Sequence, residues 1–333
     1  MGSTQSAQSP WPKPFFKTTR GRLFLGKSED MLVSYPLTRQ RGKVQLILTS
    51  PPFALNRKKK YGNEVGDEYV RWLASYASLL GDYLADDGSL VIELGNGWTP
   101  GQPTMSTLPL EALLAFKNEG GFELCQEFIC FNPARLPSPA QWVNVKRTRV
   151  KDALTRVWWM SRTPHPKADN RRVLTEYSES MKKLLKRGTY NSGTRPSEHN
   201  IGATSFLENN GGAIASNVLV PSVDDIVCEL AEAQTLLSIA NTRANDAYQV
   251  SCRELELTPH PARMPARLVE FFVRFLTDEN DLVLDPFAGS NTTGAVAESL
   301  RRRWLCIEAE HDYALGAAGR FANVEFDDNA EVF

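Results

Sequence analysis

The sequence predicts an α/β fold with a mainly parallel sheet, interrupted by a basic, irregular lobe. Three observations predict it. Short apolar runs closed by turn residues alternate with stretches whose apolar side chains recur at helical spacing, the pattern of repeated strand–helix units. That pattern weakens over residues 161–258, where Arg, Lys, Asn, Ser and Gly accumulate. It returns sharply from residue 259 onward. A chain of 333 residues is long enough for one large domain carrying such an insert.

Residues 1–20, with Pro10, Pro12 and Pro14, read as a loose arm. Residues 21–160 form the first part of the α/β domain. Val44–Leu48 is a short apolar strand that runs into Thr49-Ser50-Pro51-Pro52, a proline-stiffened turn. From Asp67 to Leu84 the apolar residues Val70, Leu73, Ala74, Ala77, Leu80 and Leu84 mark one face of a helix. Asp86-Asp87-Gly88 reads as a turn before a strand over Ser89–Leu94. A helix follows over Leu108–Lys117 and stops at Gly120-Gly121; Phe122–Phe131 and Leu154–Met160 read as further strands. Residues 259–326 form the second part of the domain: a helix at Leu268–Leu276, a strand at Asp281–Asp285, a helix at Asn291–Ser299 and a strand at Trp304–Ile307.

Composition narrows the function classes. With 42% hydrophobic and 23% charged residues the chain reads as an ordinary globular protein, and no apolar run approaches the length of a membrane span. The N-terminus lacks the basic start and apolar core of a secretory signal, so a cytoplasmic protein is expected. The five cysteines, at 125, 130, 228, 252 and 306, form no Cys-x-x-Cys, and the four histidines are scattered. Neither a zinc site nor a disulfide framework is expected. Net charge is -1, but residues 132–200 hold 15 Lys or Arg against 5 Asp or Glu. That local excess of +10 fits a phosphate-binding face, and equally a solvated basic surface.

Two constellations carry chemistry. Leu282–Asp285 runs into Pro286, Phe287, Ala288, Gly289 and Ser290 and then a helix opening at Asn291, Thr292 and Thr293. Small residues there let a ligand approach the backbone, and the helix start presents free N–H groups. Glu308, ending the next strand 19 residues after Gly289, can accept hydrogen bonds from both ribose hydroxyls of an adenosine cofactor. An ordinary strand–helix turn with a surface glutamate would look similar. Upstream, His260-Pro261-Ala262-Arg263-Met264-Pro265 fixes an extended turn, which by itself can be a mere connector. The other constellation is Ser50-Pro51-Pro52-Phe53. A hydroxyl, a carbonyl and an aromatic ring there can meet a ligand, and a proline-stiffened turn with a packed Phe would look similar. Glu93, at a strand end, is a candidate partner for Ser50.

Taken together, Thr49-Ser50-Pro51-Pro52-Phe53 and the distant Asp285-Pro286-Phe287-Ala288-Gly289 resemble the amino-methylating DNA methyltransferases, whose catalytic motif is (Asp/Asn/Ser)-Pro-Pro-(Tyr/Phe/Trp). The order of catalytic motif, variable lobe, cofactor motif is similar to the β-class arrangement, and the Ser form is similar to the N4-cytosine subgroup. The resemblance extends from Gly21 to Phe321 through Phe131-Asn132-Pro133, Leu136-Pro137-Ser138-Pro139, Arg149-Val150-Lys151-Asp152-Ala153, Val157-Trp158-Trp159 and Thr194-Arg195-Pro196-Ser197. It implies a Rossmann-like methyltransferase fold, S-adenosyl-L-methionine as donor, no metal, and double-stranded DNA as substrate with the target base flipped. It implies catalytic roles for Ser50, Pro51, Pro52 and Phe53. Cofactor contacts are implied at Thr49, His260, Pro261, Arg263, Pro265, Glu308 and the loop from Asp285 to Thr293. The lobe, with its basic face starting near residue 132, becomes the target-recognition region. Arg57, Lys58, Lys59 and Lys60 are expected on the DNA backbone, and Arg195, His199 and Asn200 are candidates for base contacts. The palindrome CAGCTG is the implied target, with a restriction endonuclease as functional partner. One departure stands out: the family usually has Asp after Gly in the segment Leu25-Gly26-Lys27-Ser28-Glu29-Asp30, and Lys27 cannot accept a hydrogen bond. Adenine-N6 methylation, methylation of RNA or protein, and a DNA-binding protein with a vestigial cofactor pocket are the alternatives at this point.

Overall fold

The computed structural model describes residues 12–53, 64–132, 135–202, 204–220, 237–238 and 246–327. Seven strands build the body of one sheet: β1 (Gly21–Leu25), β2 (Val44–Thr49), β3 (Leu84–Gly95), β4 (Glu123–Phe131), β5 (Leu154–Ser161), β6 (Leu282–Asp285) and β7 (Arg303–Glu308). Their order is β4-β5-β3-β2-β6-β7-β1. The run β3-β2-β6-β7-β1 is parallel, whereas β5 lies antiparallel between β3 and β4. The two halves of the domain, separated by the lobe, therefore meet at the β2–β6 pairing, where Val283 faces Leu46 and Leu284 faces Ile47.

Alternation along these strands feeds two cores. Leu46, Leu48, Val91, Val283 and Cys306 face one side, with Phe272 and Val269 of α6 (Ala266–Leu276), Ala297 of α7 (Thr292–Ser299) and Ala314 of α8 (His311–Ala318). Ile47, Leu90, Ile92, Leu284 and Ile307 face the other, under α2 (Asp67–Tyr83) and α3 (Leu108–Glu119). The apolar residues of α2 recur at helical spacing, so Tyr69, Leu73, Tyr76, Ala77 and Leu80 all lie on its buried face. Asp67 and Glu68 in its first turn favour the helix start electrostatically. The result is the α/β/α layering expected from the alternating pattern.

Three sequence expectations change. The supposed turn at Asp86-Asp87-Gly88 lies inside β3, where a register shift between Val44 and Leu46 of β2 absorbs it. The arm is not loose from Pro12 onward: Phe16 is fully buried, its ring 6.2 Å from Trp304 and 5.7 Å from Phe321, and Phe16–Lys17 pairs with both β1 and Glu325–Phe326. The aromatic side chains decide this against the prolines. The lobe is also stitched to the body. Val218–Val220 extends the sheet beside β4, and Lys167 bridges Asp278 at 2.6 Å and Asp281 at 2.8 Å. Glu179–Arg187 is a helix of the lobe (α4), and Ala247–Glu254 is another (α5), whose Cys252 and Ser251 sit against Gly316 and Gly319 at α8. The buried face of α5 is only Tyr248, Ser251 and Cys252, too short a stripe to give a clear periodic signal.

Gly21 lies under the indole of Trp304, and a Cβ there would sit 2.1 Å from the ring. Gly21→Ala is expected to lower stability by about 1–3 kcal/mol through overpacking. The measurement is urea unfolding; a midpoint equal to wild type would refute the close packing of β1 on β7.

Candidate active site

The chemistry gathers at the carboxyl ends of four adjacent strands. In sheet order they carry Glu93 (β3), Thr49 and the Ser50 turn (β2), Asp285 (β6) and Glu308 (β7). Ligand clefts in open α/β sheets form at this edge. Two cavities open there. The larger, about 430 Å³, is lined by Lys27, Ser28, Glu29, Trp72, Tyr76, His260, Pro261, Phe287, Gly289 and Glu308, among others. The smaller, about 220 Å³, is lined by Glu93, Cys130, Asn132, Arg135, Thr155 and the Pro261–Pro265 turn. Ser50 and Phe53 border both.

Asp285 fixes this edge. One carboxylate oxygen accepts the Thr49 hydroxyl at 2.8 Å and the Phe287 N–H at 3.1 Å; the other accepts the Thr293 hydroxyl at 2.7 Å. A single buried acid thus ties the residue before Ser50 to the loop and helix after β6. Burial pushes its pKa up to about 6, and these donors oppose the rise. Glu308 is arranged similarly but faces the large cavity: its two oxygens accept from the N–H groups of Gly289 at 2.6 Å and Glu310 at 2.8 Å. Each oxygen keeps a lone pair for a hydroxyl. Its pKa is raised to about 7 by burial. Gly289 is required where it is, since its φ of 52° is left-handed and a Cβ would press on His260 at 3.1 Å. The His260 ring stacks edge-on against Tyr313 and its Nδ1 accepts from the Ala262 N–H at 3.3 Å. Burial lowers its pKa to about 4, so it is neutral with Nε2 as the donor.

On the other side of the turn, Ser50 and the buried carboxylate of Glu93 line the smaller cavity together. Desolvation drives the Glu93 pKa up to about 7, with the Ser50 hydroxyl and the Arg135 charge opposing it. The Pro52 carbonyl accepts from the Tyr69 hydroxyl at 2.7 Å, and Phe53 packs over Gly95. The turn is therefore clamped by α2 and β3 together.

The expected site residues divide. Ser50, Pro51, Pro52, Phe53, His260, Pro261, Pro286, Phe287, Gly289 and Glu308 line the large cavity. Ala288, Ser290, Thr292 and Arg263 border a crevice of about 30 Å³ behind it, and Arg263 and Pro265 face the smaller cavity. Asp285 and Thr293 also border that crevice, bonded to each other, whereas Thr49 and Asn291 line none of these cavities: Thr49 gives its hydroxyl to Asp285, and Asn291 accepts from the Gly294 N–H at 3.0 Å and caps α7 while its Nδ2 is buried without a partner among the described residues. Arg195, His199 and Asn200 lie together on a hairpin formed by Gly193–Thr194 and Asn200–Ile201, away from both cavities. Arg57, Lys58, Lys59 and Lys60 lie outside the described residues. Trp72, Tyr76 and Glu29 were missed, since no local motif marks residues that meet only through the packing of α2.

A family model described as DNA methylase, covering N6 and N4 methyltransferases, matches residues 44–318. The chain belongs to that DNA methylase family. It is 42% identical over 311 residues to the type II methyltransferase M.PvuII of Proteus hauseri, covering 93% of this chain and 86% of that one. It is 24% identical over 306 residues to the type II methyltransferase M.BglII of Bacillus subtilis, covering 91% and 69%. The solved PvuII DNA methyltransferase, described as cytosine-N4-specific, superposes with a TM-score of 0.70 at 36% identity, covering 96% of this chain and 90% of that one. A DNA modification methylase of Thermus thermophilus, solved with S-adenosyl-L-methionine, shares the fold, with a TM-score of 0.53 at 18% identity over 91% of this chain and 93% of that one. S-adenosyl-L-methionine is the methylase's cofactor, and the large cavity fits it: Glu308 offers paired acceptors for a ribose, Phe287 an aromatic face, and Gly289 backbone that a ligand can approach closely.

Glu93 carries a stability cost. Its folded pKa lies above its unfolded value, so the native state holds a proton that the unfolded chain has lost, and stability falls as pH rises from about 4.5 to about 7. Glu93→Gln is therefore expected to be more stable than wild type at pH 8, by about 3 kcal/mol. The gain should vanish near pH 4. Thermal melting across that range checks it, and a variant no more stable at pH 8 would contradict the buried, costly carboxylate.

Proposed function

We propose that this methylase transfers a methyl group from S-adenosyl-L-methionine to the exocyclic N4 amine of cytosine in duplex DNA, as the modification enzyme of a type II restriction system. The observation that carries the reading is Ser50, a hydroxyl on the wall between two cavities that shares the smaller one with the buried carboxylate of Glu93. The similarity to M.PvuII and to the cytosine-N4-specific PvuII structure supports it. The palindrome CAGCTG is the proposed target, since the likeness runs through the lobe as well as the core. A cognate endonuclease and a cytoplasmic, nucleoid-associated location follow from that role. Among the described residues no helix is long and apolar enough to cross a membrane.

The cofactor supplies an electrophilic sulfonium methyl from the larger cavity; the base enters the smaller one. The amine of cytosine is a weak nucleophile because its lone pair is delocalised into the ring. Beside Glu93, Ser50 can turn its own proton to that carboxylate and leave its oxygen lone pairs to accept one amine hydrogen; the Pro51 carbonyl accepts the other. Holding both hydrogens turns the nitrogen lone pair toward the methyl, and positioning of this kind lowers barriers substantially. Phe53, held over Gly95, offers its ring to the extruded base. Methylation leaves the amine with a proton to lose. Glu93, titrating near neutrality, can take it through Ser50. Arg195, His199 and Asn200, on the exposed hairpin, are proposed base contacts, and Arg57, Lys58, Lys59 and Lys60 proposed phosphate contacts, so binding should weaken steeply with salt.

The deciding experiment incubates the protein with labelled cofactor and duplex DNA, then identifies the methylated nucleoside by mass spectrometry. N4-methylcytosine is expected; methyladenine, or no DNA product, sinks the proposal. Ser50→Ala should cost ~1–3 kcal/mol, a rate loss of roughly 5- to 150-fold, with cofactor affinity retained. The wild-type rate should climb as pH rises through about 7, where Glu93 ionises. In Glu93→Gln that limb should flatten, and a persisting limb would remove Glu93 from the proton path.

A further inference from the structure

One carboxylate in the large cavity plays no part in the transfer described above. Glu29, in the first turn of α1 (Ser28–Leu32), accepts a 2.6 Å hydrogen bond at Oε2 from the Tyr76 hydroxyl. Tyr76 comes from α2, 47 residues away in sequence, and its side chain is buried. Its ring meets Phe287 edge-on at 5.2 Å, and Trp72 leans on both. An exposed glutamate ordinarily samples many rotamers; here a buried phenol holds its carboxylate in place. Burial and the neighbouring carboxylate both keep that phenol protonated, so it stays a donor. The Ser28 hydroxyl donates to the Pro286 carbonyl and ties the start of α1 to the loop bearing Phe287. The carboxylate and the aromatic ring are thus set in one rigid wall.

That wall has the chemistry of a purine edge reader. Phe287 can take a flat ring, and a carboxylate beside it can only accept hydrogen bonds. Adenine presents an exocyclic amine, which only donates. Lys27 borders the same cavity, but an ammonium has donors alone and cannot serve that amine. The backbone places this wall next to the ribose acceptor, since Leu25 of β1 pairs with Glu308 of β7 and the Gly26 N–H donates to the Glu308 carbonyl at 2.8 Å. We propose that Glu29, positioned by Tyr76, is the residue that accepts from the exocyclic amine of the cofactor's adenine and so selects adenine over purines carrying a carbonyl there. This rests on the large cavity being the cofactor site.

Calorimetric titration of S-adenosylhomocysteine and of S-inosylhomocysteine, in which a carbonyl replaces the amine, tests the assignment without turnover. Wild-type protein should prefer the adenosyl ligand by roughly 10- to 100-fold, because the inosyl carbonyl meets a carboxylate that cannot donate. Glu29→Gln, whose amide can donate as well as accept, should compress that preference to within about 3-fold. Tyr76→Phe keeps the ring and loses the hydroxyl, and should lower the preference severalfold. Both variants are checked by thermal melting, and Glu29 is exposed enough for its replacement to leave the fold intact. A Glu29→Gln protein that keeps the wild-type preference overturns the proposal. Wild-type protein that binds neither ligand overturns the cofactor reading of the cavity, and the role of Glu29 with it.

Discussion

The Asp285 carboxylate, buried between β2 and β6, sets the geometry on which the rest of the site depends. It accepts from Thr49, from the Phe287 N–H and from Thr293, so one group fixes the catalytic turn, the cofactor loop and the start of α7. Thr49 and Thr293 lie 236 and 8 residues from it in sequence. Nothing covalent holds Ser50 near Phe287. The β2–β6 pairing brings the strands side by side, and the Asp285 bonds carry that register into the loops beyond the strand ends. A lobe of roughly a hundred residues can therefore be inserted between the halves without disturbing their relation, because loop closure costs grow only slowly with length.

A second constraint follows from placing so many carboxylates at one sheet edge. Glu93, Asp285 and Glu308 are each buried, and desolvation raises each pKa to between about 6 and about 7. Every one is partly compensated by hydrogen bonds from hydroxyls or backbone N–H groups, which is how buried polar groups become tolerable. The compensation differs in what it leaves over. Asp285 has donors from three directions and serves the scaffold. Glu308 takes only backbone donors, among them the Gly289 and Glu310 N–H groups, and faces the large cavity. Glu93 shares the smaller cavity with the Ser50 hydroxyl and sits nearest to being able to exchange a proton. The same chemical group thus does three jobs, distinguished by which donors reach it and which cavity it faces.

Legibility in the sequence followed the same division. Ser50-Pro51-Pro52-Phe53 and the loop after Asp285 are local strings, because a turn that stiffens backbone or admits a ligand must be built from consecutive residues. Glu308 was readable from its spacing, since a strand–helix–strand unit has a nearly fixed length. The helices α2, α3 and α6 were readable because each buries a broad apolar stripe. What stayed hidden depends on residues that meet in space only. The prolines near the N-terminus argued for a loose arm, but Phe15 and Phe16 outweigh them by filling the space beside Trp304 and Phe326. Thr49 and Asn291 sit inside recognisable motifs, yet motif membership does not say whether a side chain faces a cavity or a neighbouring strand.

The pair Glu29 and Tyr76 shows why such a limit matters for function. A motif-level reading finds Lys27 where an acceptor is usual and expects adenine recognition to be weaker or differently arranged. The fold shows that the wall of the cavity is assembled from α1, α2 and the Phe287 loop together, so an acceptor can reach it from a different position of α1 if another element holds it. Tyr76 can do so only because α2 packs its apolar face against the sheet and leaves that hydroxyl at the cavity rim. Recognition of a small ligand depends on where donors and acceptors lie around it. The residue number that supplies each of them is free to move as long as the packing carries it to the same wall.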